Sequence, residues 1–206
     1  MQQHFKTVLG DISESDLGIT LVHEHICCYS DDLYNMVGEK YLDKARLKEV
    51  AVKVLSFMKE KYNLSTFVDC TPVNIGRDIE LLKEISKETG VNIICSTGFY
   101  YTEEPLLNRL SERQIADFII DDAKNVNAGI IKCAVEKDIL SQFDQKILKA
   151  ISYAQLQLKL PIVLHTNANN KNALKALEIL LAEGVKPEAV TVGHLSDTED
   201  YKYIRS

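Results

Sequence analysis

Short β-rich runs alternate with helical segments along the whole chain, and this alternation narrows the architectures open to it. The strand candidates are GITLVHEH (18–25), LSTFVDCT (64–71), VNIICSTG (91–98), AGIIKCAV (128–135), LPIVLHT (160–166) and AVTVGHL (189–195). Helical spacing fills the gaps at 43–62, 77–90, 111–125, 144–159 and 169–184. In the first of these, Leu47, Val50, Val54, Leu55 and Met58 are expected to share one face. Gly90 is placed to cap the second, and Ser111 opens the third. FKTVLG (5–10) is expected to add a short N-terminal strand. Strict β–α alternation points to a parallel sheet with helices outside it, and apolar strands point to burial on both faces.

Two parallel architectures compete for this pattern. An open doubly wound sheet that binds a nucleotide carries a Gly-rich turn after a strand. Here VHEHICCYSDD follows the first candidate strand instead. A closed (β/α)8 barrel gathers its chemistry at the C-terminal ends of many strands. The polar residues follow that second pattern. His23 and His25 end the first strand, Lys132 interrupts the fourth, His165 ends the fifth and His194 ends the sixth.

Side chains alternate along a strand, so His23 and His25 are expected to face one way and Glu24 the other. Two imidazoles on one face can hold a single metal ion, whereas a lone strand-end histidine is more often structural. Core packing gives no reason for four such histidines to collect at strand ends. Lys132 leaves two readings open. Either its amine snorkels to the rim, or it sits neutral in the interior and reacts with CO2 to give a carbamate. An ammonium buried without a partner is too costly to be a third.

Composition excludes other roles. Net charge is −6 with no Lys/Arg tract, which disfavours a nucleic-acid partner. No apolar run approaches the roughly 20 residues needed to cross a bilayer. No charged-then-apolar signal segment is evident at the N-terminus. Cys27, Cys28, Cys70, Cys95 and Cys133 form no CxxC pair, and an odd number of mostly apolar-flanked thiols suits a reducing compartment. A cytoplasmic protein without nucleic-acid or membrane partners is expected. The oligomeric state stays open, a homodimer included.

Six stretches together resemble the phosphotriesterase-related family of the amidohydrolase superfamily. They are LGITLVHEHI, NIGRD, STGFYY, AGIIKCA, PIVLHT and VGHLSDTED, and they occur in the family's order across essentially the whole chain. The resemblance implies a (β/α)8 TIM barrel of amidohydrolase type with two divalent metal ions, commonly zinc, at the C-terminal mouth. His23 and His25 would hold the more buried ion, and His165 and His194 the more exposed one. Lys132, as a carbamate formed from CO2, would bridge them. Metal-bound hydroxide would then attack a small-molecule lactone, carboxylic ester or phosphoester, with no serine or cysteine nucleophile. Asp197 matches a proton-relay position, although an acid favoured by a helix N-terminus explains it equally well. Tyr100 falls where the family places an aromatic wall over the substrate, which leans towards a lactone. Arg77 either meets an anionic substrate group or forms a surface salt bridge.

The resemblance also leaves a shortfall. Only about six β/α units are read from 1–206, taken as a single hydrolase domain, so strands seven and eight are expected to be missing. With them goes the family's metal-ligating aspartate on strand eight. Impaired turnover is therefore expected of this chain. The alternative reading is a non-catalytic remnant that retains partial metal binding through His165 and His194.

Overall fold

The computed structural model describes residues 4–205. It opens with an antiparallel hairpin of β1 (His4–Thr7) and β2 (Gly10–Ser13). The single strand expected at 5–10 is thus two. Gly10 adopts φ +118°, and Thr7 Oγ1 donates to the Gly10 carbonyl at 2.6 Å, which folds the chain back at Val8–Leu9. A short helix α1 (Glu14–Leu17) leads into β3 (Ile19–Glu24). Then come α2 (Asp31–Val37), α3 (Lys44–Tyr62), β4 (Leu64–Asp69), α4 (Ile79–Thr89) and β5 (Asn92–Gly98). The chain continues through α5 (Pro105–Arg109), α6 (Glu112–Val126), β6 (Ile130–Ala134) and α7 (Gln142–Leu158). It ends with β7 (Ile162–His165), α8 (Ala173–Ala182), β8 (Val190–Val192) and α9 (Tyr201–Ile204). The six strands expected from the β–α alternation are all present, as β3 to β8, and each is followed by at least one helix.

Contacts divide the chain into two units, one running to Thr97 with Ala123–Gly129, the other comprising Gly98–Asp122 and the chain from Ile130 onward. In the first unit β3 pairs with β4 and β4 with β5, all parallel. The core includes Leu55, Leu64, Phe67, Ile85, Ile93 and Cys95. Helix α3 starts at an Asp43 N-cap, whose side chain accepts from Arg46 N at 2.9 Å, and stops at Asn63 in the left-handed region. Asp78 caps α4 in the same way and Gly90 ends it at φ +64°, the C-cap expected there. One expectation for α3 is corrected. Its buried residues are Ala51 and Leu55, while Val50 and Val54 are exposed at 44% and 51%. At 100° per residue the apolar arc is wider than the contact it serves: Ala51 and Leu55 are covered, and Leu47 and Met58 are half-buried.

In the second unit β6 pairs with β7 and β7 with β8, again parallel. All five residues of β6 are buried, as are the first three of β7. Such strands need cover on both faces, which the flanking helices supply in parallel sheets. Ala168, Ala173 and Tyr203 form a small further core with Val192 and Leu195. Helix α8 begins four residues later than the 169 expected, because the asparagines before it bond elsewhere.

Gly98 is one position where the backbone dictates the residue. Its φ is +95°, and a Cβ built there would lie 2.1 Å from the Lys132 carbonyl oxygen. That carbonyl accepts from Phe99 N at 3.1 Å. Gly98→Ala is therefore expected to destabilise the protein by about 2 kcal/mol or more, since it adds a clash to a conformation that side chains avoid. The midpoint of urea unfolding measures this, and an unchanged midpoint would contradict the geometry.

Candidate metal centre

The second unit brings most of the sequence-selected residues together. Lys132 lies on β6 with no solvent exposure. The parallel register sets Lys132 beside Val163 and Ala134 beside His165. The ends of the strands are tied by backbone bonds, from Val135 N to the His165 carbonyl at 3.0 Å and from Gly193 N to the Leu164 carbonyl at 2.8 Å. These bonds place His165 and His194 at adjacent strand ends, with ring centroids 4.4 Å apart and edge to face. His194 holds φ +64°, a left-handed conformation uncommon for a residue with a side chain.

Each imidazole has a carboxylate partner at one nitrogen. His194 Nδ1 lies 3.1 Å from Asp197 Oδ2, so Asp197, exposed on a 3-10 turn, partners a histidine. His165 Nε2 lies 3.0 Å from Glu136 Oε2 and 3.5 Å from the Tyr100 hydroxyl. Tyr100 packs against His165 edge to face at 5.1 Å, and Tyr101 stacks beside it with centroids 4.4 Å apart. Burial pushes the His165 pKa below 6.5, and nearby His194 and Lys132 push the same way against the Glu136 hydrogen bond. The ring is thus neutral near pH 7 and its contact with Glu136 is a hydrogen bond. Burial also drives the neighbouring Cys133 thiol up to about 12, which makes it a packing residue and no nucleophile.

The first unit carries the other pair. His23 is the penultimate residue of β3 and half-buried, and His25 lies just beyond the strand, exposed. Their rings are 5.9 Å apart and tilted by 57°. The β3–β4 register shifts between Leu21 and Glu24, so the expected strict alternation is interrupted just where the histidines stand. His25 Nδ1 meets Thr71 Oγ1 at 2.9 Å. Thr71 is fixed in turn by buried Asp69, whose Oδ1 accepts from Thr71 N and whose Oδ2 accepts from Ile26 N, both at 2.9 Å. Burial holds the Asp69 carboxyl above its ordinary range despite those bonds. Arg77 has an inward role: its Nη1 donates to the Ser96 carbonyl at 2.8 Å.

A model of the phosphotriesterase family matches residues 3–206. The chain belongs to the phosphotriesterase family. It is 33% identical over 203 residues to the aryldialkylphosphatase of Saccharolobus solfataricus, an alignment covering 94% of this chain and 64% of that protein. It is 28% identical over 215 residues to a phosphotriesterase homology protein of Mycobacterium tuberculosis, covering 96% and 65%. It is also 28% identical over 227 residues to the N-acetyltaurine hydrolase of Homo sapiens, covering 94% and 65%. The chain thus spans 64–65% of the length of these curated relatives. Family membership and the β/α succession together bear out the barrel-type fold class read from the sequence.

The imidazoles present are of a kind that can ligate a divalent ion. His165 is neutral, as a ligand must be. His165 and His194 are paired at adjacent strand ends. Among the described residues no three His, Cys, Asp or Glu side chains converge as a ready ligand set. A carbamate on Lys132 would supply the further anionic donor that His165 and His194 lack. Sequence reasoning missed Glu136, Asn167, Asp69 and Thr71. Asp69 was visible as a carboxylate at the end of an apolar strand. Glu136 gave no signal, because it follows β6 among ordinary loop residues.

His165 also predicts a pH dependence. Its folded pKa lies below the unfolded value of 6.5, so its contribution to stability is complete above pH 6.5. That contribution is lost as pH falls through the folded pKa, because protonation then favours the unfolded chain. Resistance of the metal-free protein to urea is expected to fall below about pH 6.5, and His165→Gln is expected to flatten that slope. A slope unchanged by the substitution would contradict this account.

Proposed function

We propose that the protein is a divalent-metal-dependent hydrolase acting on a lactone, carboxylic ester or phosphoester. The observation that carries the reading is a neutral His165 paired with His194 at the ends of the two strands that follow the one carrying fully buried Lys132, in a chain of the phosphotriesterase family. His165, His194 and a Lys132 carbamate would hold one ion, and His23 and His25 would hold another. Zinc is the expected metal, since imidazole and carboxylate-type oxygen donors suit it. Bound divalent ions supply two things: a lowered pKa for water, and polarisation of the scissile carbonyl or phosphoryl oxygen.

The chain's own residues do the rest. Asp197 accepts from the His194 Nδ1 side and sets that ring's orientation, which suits it to receive a proton passed through the imidazole. Tyr100 and Tyr101 present an aromatic surface beside His165, on which the flat body of a lactone or aryl ester can rest. Arg77, whose Nη1 donates to the Ser96 carbonyl, keeps further N–H groups that could meet an anionic substrate group. The names of two relatives, aryldialkylphosphatase and N-acetyltaurine hydrolase, make a phosphotriester and an N-acyl amide worth testing beside the lactone. A second reading, ion binding without turnover, draws support from the absence of a three-residue ligand cluster among the described residues.

Metal analysis of the purified chain decides between these readings, together with a panel of lactone, ester, phosphotriester and N-acyl amide substrates. The hydrolase reading expects about two divalent ions per chain, hydrolysis of at least one substrate class, and loss of both in chelator. His23→Ala should remove bound metal and His165→Ala should abolish hydrolysis. Bound metal without hydrolysis favours the second reading. A chain that takes up no zinc, cobalt or manganese overturns both.

A further inference from the structure

Glu136 stands two residues beyond β6, and an unusual amount of structure is spent on holding it. Its Oε2 faces His165 Nε2 at 3.0 Å, and its Oε1 accepts from Asn167 Nδ2 at 2.8 Å. The Asn167 amide cannot turn over, because its own Oδ1 accepts from Asn169 N at 3.1 Å. The backbone is clamped as well. Asn170 Nδ2 donates to the Glu136 carbonyl at 2.7 Å. Fully buried Asn172 donates to the carbonyls of Val135 and Lys137, both at 3.2 Å, and accepts from Asn167 N at 3.3 Å. Three asparagines of one loop therefore grip the residues before, at and after Glu136.

A carboxylate oxygen only accepts, so Oε2 against a neutral imidazole requires the proton on Nε2. The lone pair then lies on Nδ1. We propose that Glu136 is a positioning residue: it locks His165 in the Nε2–H tautomer and so leaves Nδ1 as the nitrogen that ligates a divalent cation. Carboxylates behind metal-bound histidines fix tautomer and ring orientation in this manner, and their loss typically lowers metal affinity about 10–100-fold. The asparagine clamp explains how a half-exposed glutamate can do this. Held at its carbonyl and at Oε1, it has little freedom to swing into water. The ligand part of the proposal rests on the metal-dependent reading above; the tautomer part stands without it.

Glu136→Gln gives a sharp test because it barely changes shape. The fixed Asn167 donor draws the glutamine oxygen, which turns the new amide nitrogen, a donor, towards His165 Nε2. Histidine 15N resonances of the metal-free full chain should show the Nε2–H tautomer for His165 in the wild type and Nδ1–H in the variant. Zinc affinity, measured by competition with a chromophoric chelator, should fall about 10–100-fold in Glu136→Gln. It should fall less in Glu136→Asp, which keeps an acceptor. Glu136→Ala serves the same comparison if the glutamine variant fails to fold, and should give a mixture of tautomers. A wild-type His165 protonated at Nδ1 would overturn the proposal. So would a Glu136→Gln variant whose tautomer and zinc affinity match the wild type within about twofold, well inside the loss expected. If the wild type binds no zinc, the metal-dependent reading fails, while the tautomer comparison still decides whether Glu136 sets the state of His165.

Discussion

Lys132 sits without solvent exposure on a strand whose five residues are all buried, and much of the second unit is arranged around that fact. Taking an ammonium out of water costs several kcal/mol even after the surroundings relax. Packing alone offers no return on that cost, since Leu or Met would fill the same space. The backbone at this point is equally constrained. The Lys132 carbonyl takes the Phe99 amide, and only a glycine at position 98 allows so close an approach. The charge environment spreads outward too, because Lys132 is one of the groups that keep His165 neutral. A buried amine, a neutral imidazole and a glycine that makes room for both strands' backbones belong to one design.

His25, His165 and His194 are not held alike. Thr71 takes Nδ1 of His25, Asp197 takes Nδ1 of His194, and Glu136 takes Nε2 of His165. Which nitrogen is held fixes the tautomer and orientation of a ring. His165 keeps Nδ1, close to its own backbone. The holding residues come from the strand ends or the segments just beyond them, where the backbone has left the sheet ladder and side chains can bond sideways. Asp69 adds a further layer by fixing the amides of Ile26 and Thr71. Its cost is burial, seen in the raised pKa of its carboxyl.

What was legible beforehand follows from range. The β–α succession is a local property of apolar spacing, and all six strands stand within a few residues of where that spacing puts them. The histidines were legible because imidazole at a strand end is rare enough to count. The hairpin at the start was missed, since FKTVLG contains no alternation break and only the φ of Gly10 turns the chain. The exposed face of α3 was misread, because a helix wheel shows what is apolar without showing what covers it. The inward bond of Arg77 and the role of Glu136 were illegible for a common reason. Both residues are charged and lie in loops, where composition is uninformative, and their partners lie 19 and 29 residues away.

The segment after β7 shows why local reading fails just there. NANNKN opens a region with helical spacing, yet the helix waits until Ala173. Asparagine side chains compete with helical hydrogen bonds, and these ones have other partners. Asn167, Asn170 and Asn172 reach across to 135–137, and Lys171 accepts a left-handed φ of +51° in the process. The helix surrendered there is a turn's worth of backbone bonds. What replaces it is a clamp on the residue that touches His165. A stretch that contradicts its own propensity while satisfying its neighbours marks a place where geometry at a site has outweighed regular structure.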